Sequence, residues 1–116
     1  MSGPKRILIV EDEPLIAMML EDFLDALGRE VAGSADTVAG ALGQIDGELD
    51  AVILDVNLRG GETCWPIADA LAERGIPFVL ATGGAGDMID PAHRDRPVLS
   101  KPFTIDGVEK ALDGLG

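Results

Sequence analysis

At 116 residues, with 47% apolar and 26% charged side chains, the chain has the length of one domain and the composition of a globular one, which excludes wholesale disorder. Nine Lys and Arg stand against 21 Asp and Glu, a formal net charge of −12 that excludes direct binding to a DNA or RNA backbone and suits a divalent cation or a basic protein surface. Its longest apolar run, 15–20, is too short to span a membrane, and the single Cys64 excludes an internal disulfide, so the expected setting is the reducing cytoplasm.

The first predicted element is a strand at 6–10, Arg6-Ile7-Leu8-Ile9-Val10, apolar without period-two alternation, as a strand covered on both faces requires. Pro14 then opens a helix as its first residue, with Ile16, Met19, Leu20, Phe23 and Leu27 inward and Gly28 as its stop. A short strand is expected at 30–32. Asp36 or Ser34 is the expected cap of a second helix carrying Val38, Leu42 and Ile45, which Gly40 and Gly43 each weaken by about 1 kcal/mol. Ala51-Val52-Ile53-Leu54 is the third strand. A Gly60-Gly61 loop leads to a helix over 66–74, with Ile67, Ala68 and Leu71 inward and Gly75 ending it. The fourth strand falls at 77–81. Residues 83–91 are glycine-rich and leave room for only a turn or two of helix. After a fifth strand at 97–100, the last helix repeats Ile105, Val108, Leu112 and Leu115 at spacings of 3, 4 and 3. Only four aromatic residues are present, so the core is aliphatic and no base-stacking platform is available.

Strands alternating with helices predict a parallel sheet covered on both faces, with right-handed crossovers. The expected fold is α/β: a flavodoxin-like (βα)5 doubly wound sheet with strand order 2-1-3-4-5, forming a single domain over 1–116. That order reverses between strands 1 and 3, and ligands of such sheets bind beyond the carboxyl ends of the strands at the reversal.

At those ends stand Glu11-Asp12-Glu13 after strand 1, Asp55 after strand 3, Thr82 after strand 4 and Lys101-Pro102 after strand 5. Each has a bland reading by itself. Acidic residues complement a helix dipole, an Asp or Thr caps or turns a loop, and a lysine is normally a solvated charge. Their convergence on one sheet edge is what those readings leave unexplained. Clustered carboxylates repel one another unless a cation joins them, and Mg²⁺ takes carboxylate, water and phosphate oxygens. A carboxylate also acts as a nucleophile to form an acyl phosphate, and phosphoryl transfer needs little beyond alignment and charge neutralisation. The set fits phosphoryl transfer onto Asp55, with Asp12, Glu11 and Asp55 holding the metal and Thr82 and Lys101 contacting phosphoryl oxygens.

At Ile7-Leu8-Ile9-Val10-Glu11-Asp12-Glu13-Pro14, Leu54-Asp55-Val56-Asn57-Leu58-Arg59-Gly60, Ala81-Thr82-Gly83 and Lys101-Pro102-Phe103 the chain resembles the receiver domain of bacterial two-component response regulators, of the stand-alone type. That resemblance implies phosphorylation of Asp55 by a sensor histidine kinase or a phosphotransfer protein. It further implies Mg²⁺ on the Glu11, Asp12 and Asp55 side chains and the Asn57 backbone carbonyl, Thr82 as the switch hydroxyl, Lys101 as counter-ion and a cis Lys101–Pro102 bond. The output is then a phosphorylation-dependent contact with a downstream protein by a monomer or weak dimer. No enzymatic activity is expected beyond the protein's own phosphorylation and dephosphorylation. Two departures bear on that output. Val98 stands where the family has an aromatic switch residue, and Leu80-Ala81-Thr82-Gly83-Gly84 is similar to an alphaproteobacterial subgroup marked by Phe-Ala-Thr-Gly and a nearby Tyr, aromatics this chain lacks.

The competing readings fit less well. A receiver-like interaction module that is never phosphorylated is disfavoured because Asp12, Asp55, Thr82 and Lys101 are all present. A nucleotide- or flavin-binding enzyme would need glycines or hydroxyls after strand 1, where Glu11-Asp12-Glu13 repels phosphate. An aspartyl phosphatase of the haloacid-dehalogenase type would need a second Asp two residues after its nucleophile, and Pro14 follows Glu13 here. Elsewhere, Cys64 and Trp65 are expected to pack, Met18 and Met19 to pack on the helix face, and His93 to be a solvated loop histidine with no partner residues for a zinc site.

Overall fold

The structure, a computed structural model, describes residues 5–45, 48–58, 61–83, 89–93 and 95–115. Five parallel strands, β1 (Arg6–Val10), β2 (Glu30–Ala35), β3 (Ala51–Asp55), β4 (Phe78–Thr82) and β5 (Val98–Ser100), form one sheet in the order β2-β1-β3-β4-β5. This is the expected flavodoxin-like topology. Among the described residues there are four α-helices, α1 (Pro14–Ala26), α2 (Val38–Leu42), α3 (Trp65–Glu73) and α4 (Ile105–Asp113), while the turn or two of helix expected within 83–91 falls largely outside the described residues. Between β4 and β5 the described residues contain only a 3-10 turn, Pro91–His93. Of the predicted loops, Gly60 and the stretch 84–88 lie outside the described residues. No helix is long and apolar enough to cross a membrane.

The apolar strands work as read from sequence, because alternate side chains of each strand enter opposite layers. Leu8, Val10, Val52, Leu54, Phe78 and Leu80 meet Ala41, Ile67, Ala68 and Leu71 on the α2 and α3 side. Ile7, Ile9, Ala51, Ile53, Val79 and Ala81 meet Leu20, Leu24, Val108 and Leu112 on the α1 and α4 side. A fully apolar strand is therefore the signature of a sheet sandwiched between two helical layers.

Helix ends explain most of the boundaries. Gly28 and Gly75 adopt φ of +75° and +71°, and the next residues return hydrogen bonds into the last turn, Arg29 N–H to Leu24 at 2.8 Å and Ile76 N–H to Leu71 at 2.9 Å. At the opposite ends, Thr37 and Thr104 cap α2 and α4, each accepting from the amide three residues on, Gly40 or Gly107, at 3.0 Å. Thr37 takes the place expected of Asp36 or Ser34. Thr104→Ala should cost about 1 kcal/mol, read as a lowered urea midpoint with unchanged slope.

Five expectations need correction. β2 runs to Ala35 because a bulge opposite Ile7 and Leu8 admits Ala32 as an extra residue, after which Gly33, Ser34 and Ala35 pair with Leu8, Ile9 and Val10. Leu42 is exposed: in the five-residue α2 Ala41 is buried and Val38 packs partly buried against the core, while Ile45 is buried beyond its end. Ile105, at the first residue of α4, and Met18, on the outer face of α1, are likewise exposed. His93 is buried rather than solvated, because the turn 91–93 folds back over the α3 side of the sheet.

Candidate functional site

Each candidate side chain reaches the same edge because a strand ends beside it. Glu11 follows β1 and its amide donates to Ala35 at 2.9 Å. Pro14 then starts α1 and turns the chain away, leaving Asp12 at the rim. Asp55 is the last residue of β3, and its Oδ1 accepts the Asn57 amide at 3.1 Å. Thr82 ends β4, and its carbonyl accepts the Lys101 amide at 2.9 Å, which places Lys101 immediately past β5. The Lys101–Pro102 bond is cis.

The structure brings together Glu11, Asp12 and Asp55, each offering a carboxylate oxygen within 4.8 Å of the others. Lys101 Nζ donates to Asp55 Oδ2 at 2.8 Å and lies 3.2 Å from Glu11 Oε1. Asp55, Glu11 and Thr82 are buried, at 3%, 4% and 7% exposure, so these charges interact through little water. Asn57 sits two residues beyond Asp55, to whose Oδ1 its amide donates, and pairs with Thr63 in an isolated antiparallel bridge. Beside Glu11 and Asp12 a cleft of about 310 Å³ opens between Pro14, Ala17, Ser34, Ala35 and Asp36, leading from solvent to the carboxylates.

Electrostatics mark the cluster as short of positive charge. Burial pushes the Glu11 carboxyl up to about 8, helped by its hydrogen bond with Asp55 and the Asp55 charge, while Lys101 opposes the rise. For Lys101, burial pulls the ammonium down, but the Asp55 hydrogen bond and the Asp55 and Glu11 charges outweigh it and the net direction is up. Lys101 is thus a fixed cation. Even so, Glu11 Oε1 is buried with no hydrogen-bond partner among the described residues, because the nearby ammonium makes an ionic contact without hydrogen-bond geometry. An orphaned carboxylate oxygen facing two further carboxylates is an oxygen-rich set of the kind a hard divalent cation takes.

The chain was compared with known proteins, and no family model matches it. Its sequence is 66% identical to SdrG from Sphingomonas melonis Fr1 over 99% of this chain and 98% of that one, and the two structures superpose with a TM-score of 0.88. SdrG was also solved in a BeF3-activated conformation, 64% identical over the full length of both chains with a TM-score of 0.83. The receiver domain of the Erythrobacter litoralis PhyR response regulator is 29% identical over 97% of this chain and 90% of that one, with a TM-score of 0.78. The chain belongs to the response-regulator receiver domains. It is a receiver of a two-component phosphorelay, as its strand-end residues imply. Among longer relatives, PdtaR of Mycobacterium tuberculosis, a transcriptional regulatory protein, is 32% identical over 95% of this chain. The receiver spans about half the length, 56%, of that curated relative.

Two features of the receiver were not visible in sequence. Val98, in the position of the family's aromatic residue, is half exposed at the sheet edge. His93 joins Trp65, Asp69 and Phe78 in a cluster on the outer face of the α3 side. A signal for it existed in Asp90-Pro91: Asp90 Oδ1 accepts the Ala92 amide at 2.9 Å and its carbonyl the His93 amide at 2.8 Å, a turn of the kind Asp-Pro pairs initiate. Cys64 packs in the core as expected, and burial pushes its thiol up to about 12.

Proposed function

We propose that the receiver takes a phosphoryl group onto Asp55 from the phosphohistidine of a sensor kinase or phosphotransfer protein, and signals through a downstream protein that reads the phosphorylated form. One observation carries the reading: a buried nucleophilic carboxylate, Asp55, has a fixed ammonium 2.8 Å away and shares a cluster with the Glu11 and Asp12 carboxylates, in which Glu11 Oε1 has no hydrogen bond. In the transfer an Asp55 oxygen attacks phosphorus as the donor's N–P bond breaks, and the departing imidazole nitrogen keeps the electron pair and is protonated from solvent. Lys101 offsets the charge gathering on the phosphoryl oxygens. In this reading the Thr82 hydroxyl donates to one of them. Burial of Asp55 keeps water from competing as nucleophile.

Glu11, Asp12, Asp55 and the Asn57 carbonyl would hold Mg²⁺, which supplies neutralisation of the phosphoryl oxygens when bound. No other catalysis belongs to the chain in this reading, and a donor replenished from ATP makes the cytoplasm its setting. Incubation with acetyl phosphate and Mg²⁺ should add one phosphoryl group by intact mass, mapped to Asp55 and absent in excess chelator. A protein that stays unmodified under those conditions is a binding-only receiver, and the proposal fails.

A further inference from the structure

The chain has a single tryptophan and a single histidine, and folding puts them in contact. The His93 ring lies nearly parallel to Trp65, centroids 6.0 Å apart, and edge-on to Phe78 at 5.5 Å. His93 Nε2 meets Asp69 Oδ1 on α3 at 2.8 Å. Its Nδ1 is buried with no partner among the described residues. Ile89 packs on the same layer, and the Arg96 guanidinium stands 4.4 Å from the Phe78 ring centroid. The turn 91–93 is therefore docked by one polar bond and a few ring contacts, with an unsatisfied nitrogen opposing them. A switch needs an element with two arrangements.

Connectivity ties this dock to the phosphoryl site from both sides. Trp65 opens α3, and the preceding Cys64 amide donates to Val56 at 3.0 Å, so the start of α3 is fixed to the loop that leaves Asp55. His93 lies in the connection from β4 to β5, whose ends carry Thr82 and Lys101, themselves joined by a backbone hydrogen bond of 2.9 Å. Contacts run from Asp55 through the start of α3 and Trp65 to His93, which stands between Thr82 and Lys101 in the sequence. With Val98 in place of an aromatic, no ring at that position can report the state of the site.

Resting on Asp55 as the phosphoacceptor, we propose that His93 is a positioning residue for phosphoryl transfer. Docked on Trp65 and Asp69, it sets the connection that delivers Thr82 and Lys101 to the site, and a phosphoryl group on Asp55 tightens the dock in return. Linkage makes the two effects one quantity: the factor by which a bound phosphoryl mimic favours docking is the factor by which docking favours the mimic.

Trp65 is the reporter. The full chain is titrated with beryllofluoride in the presence of Mg²⁺, with the adduct followed by fluorine spectroscopy and Trp65 by acrylamide quenching. Quenching should fall as the adduct forms. Asp69→Ala and His93→Ala should lose that response and bind beryllofluoride about fivefold more weakly or worse, the lower end of ordinary coupling factors. His93→Gln, whose amide can donate to Asp69, should recover most of the loss, which a merely space-filling role would not produce. Asp69 is 65% exposed, so its variant decides the matter even if His93→Ala does not fold. An adduct on the wild type with unchanged quenching, or wild-type affinity in Asp69→Ala, overturns the proposal. Absence of any adduct on the wild type overturns the Asp55 assignment and this proposal with it, and the fluorine spectrum tells the two failures apart.

Discussion

Asp55→Asn should abolish phosphoryl uptake completely while the protein stays folded. The near-isosteric amide keeps an acceptor for one of the two contacts that Asp55 makes, the Asn57 amide on Oδ1 at 3.1 Å or Lys101 Nζ on Oδ2 at 2.8 Å, and gives up the other. What it lacks is the nucleophilic charge that forms the acyl phosphate. The substitution also removes one member of a mutually repelling trio, the Asp55 charge being among the causes that push Glu11 up. Stability should therefore change by less than about 1 kcal/mol, or rise, in contrast to the loss expected when a buried ion pair is broken from its cationic side. Intact mass with acetyl phosphate and Mg²⁺, beside a urea melt, checks both halves. A full adduct on the variant would place the acceptor elsewhere and remove the central assignment.

The sheet, its order and the site edge were legible because each rests on a short-range rule. Strands buried on both faces must be apolar throughout, as Ala51 to Leu54 are, and the residue that follows such a run stands at a carboxyl end, as Asp55 does. What could not be read depended on contacts between distant segments. β2 continues through Gly33 and Ser34, residues typical of turns, because β1 pairs with them beyond a bulge. Leu42 reads as an inward residue until α2 proves to be one turn long. His93 reads as a surface residue by composition, yet Asp69, 24 positions earlier, supplies its partner and Trp65 its packing surface. A residue type alone gives no access to either. The Glu11 oxygen without a hydrogen bond likewise needed coordinates, since sequence shows that carboxylates converge but not which of their atoms goes without one.

Mg²⁺ should stabilise the unphosphorylated protein, and should do so more strongly at pH 8 than at pH 6. Without the cation, Glu11 holds its proton up to about pH 8 in the folded chain, against an ordinary value of 4.5. Between those limits the folded state binds more protons than the unfolded one, so stability falls as pH rises through the window and the loss is complete above about 8. A tenfold change in proton affinity is worth ~1.4 kcal/mol, and Glu11→Gln, which carries no such proton, should flatten this slope. Cation binding needs the carboxylate ionised and therefore releases the proton. At pH 8, a concentration 100 times the dissociation constant stabilises by about 2.7 kcal/mol. Two pH units lower, competition with the proton raises the apparent constant about 50-fold, because the group is already half protonated at pH 8, and the same Mg²⁺ concentration contributes only ~0.6 kcal/mol. Melting curves at the two pH values, with and without Mg²⁺, measure the difference, and Asp12→Ala should remove the Mg²⁺ response at both. An equal Mg²⁺ shift at pH 6 and pH 8 in the wild type would mean that the proton on Glu11 and the cation do not share one site.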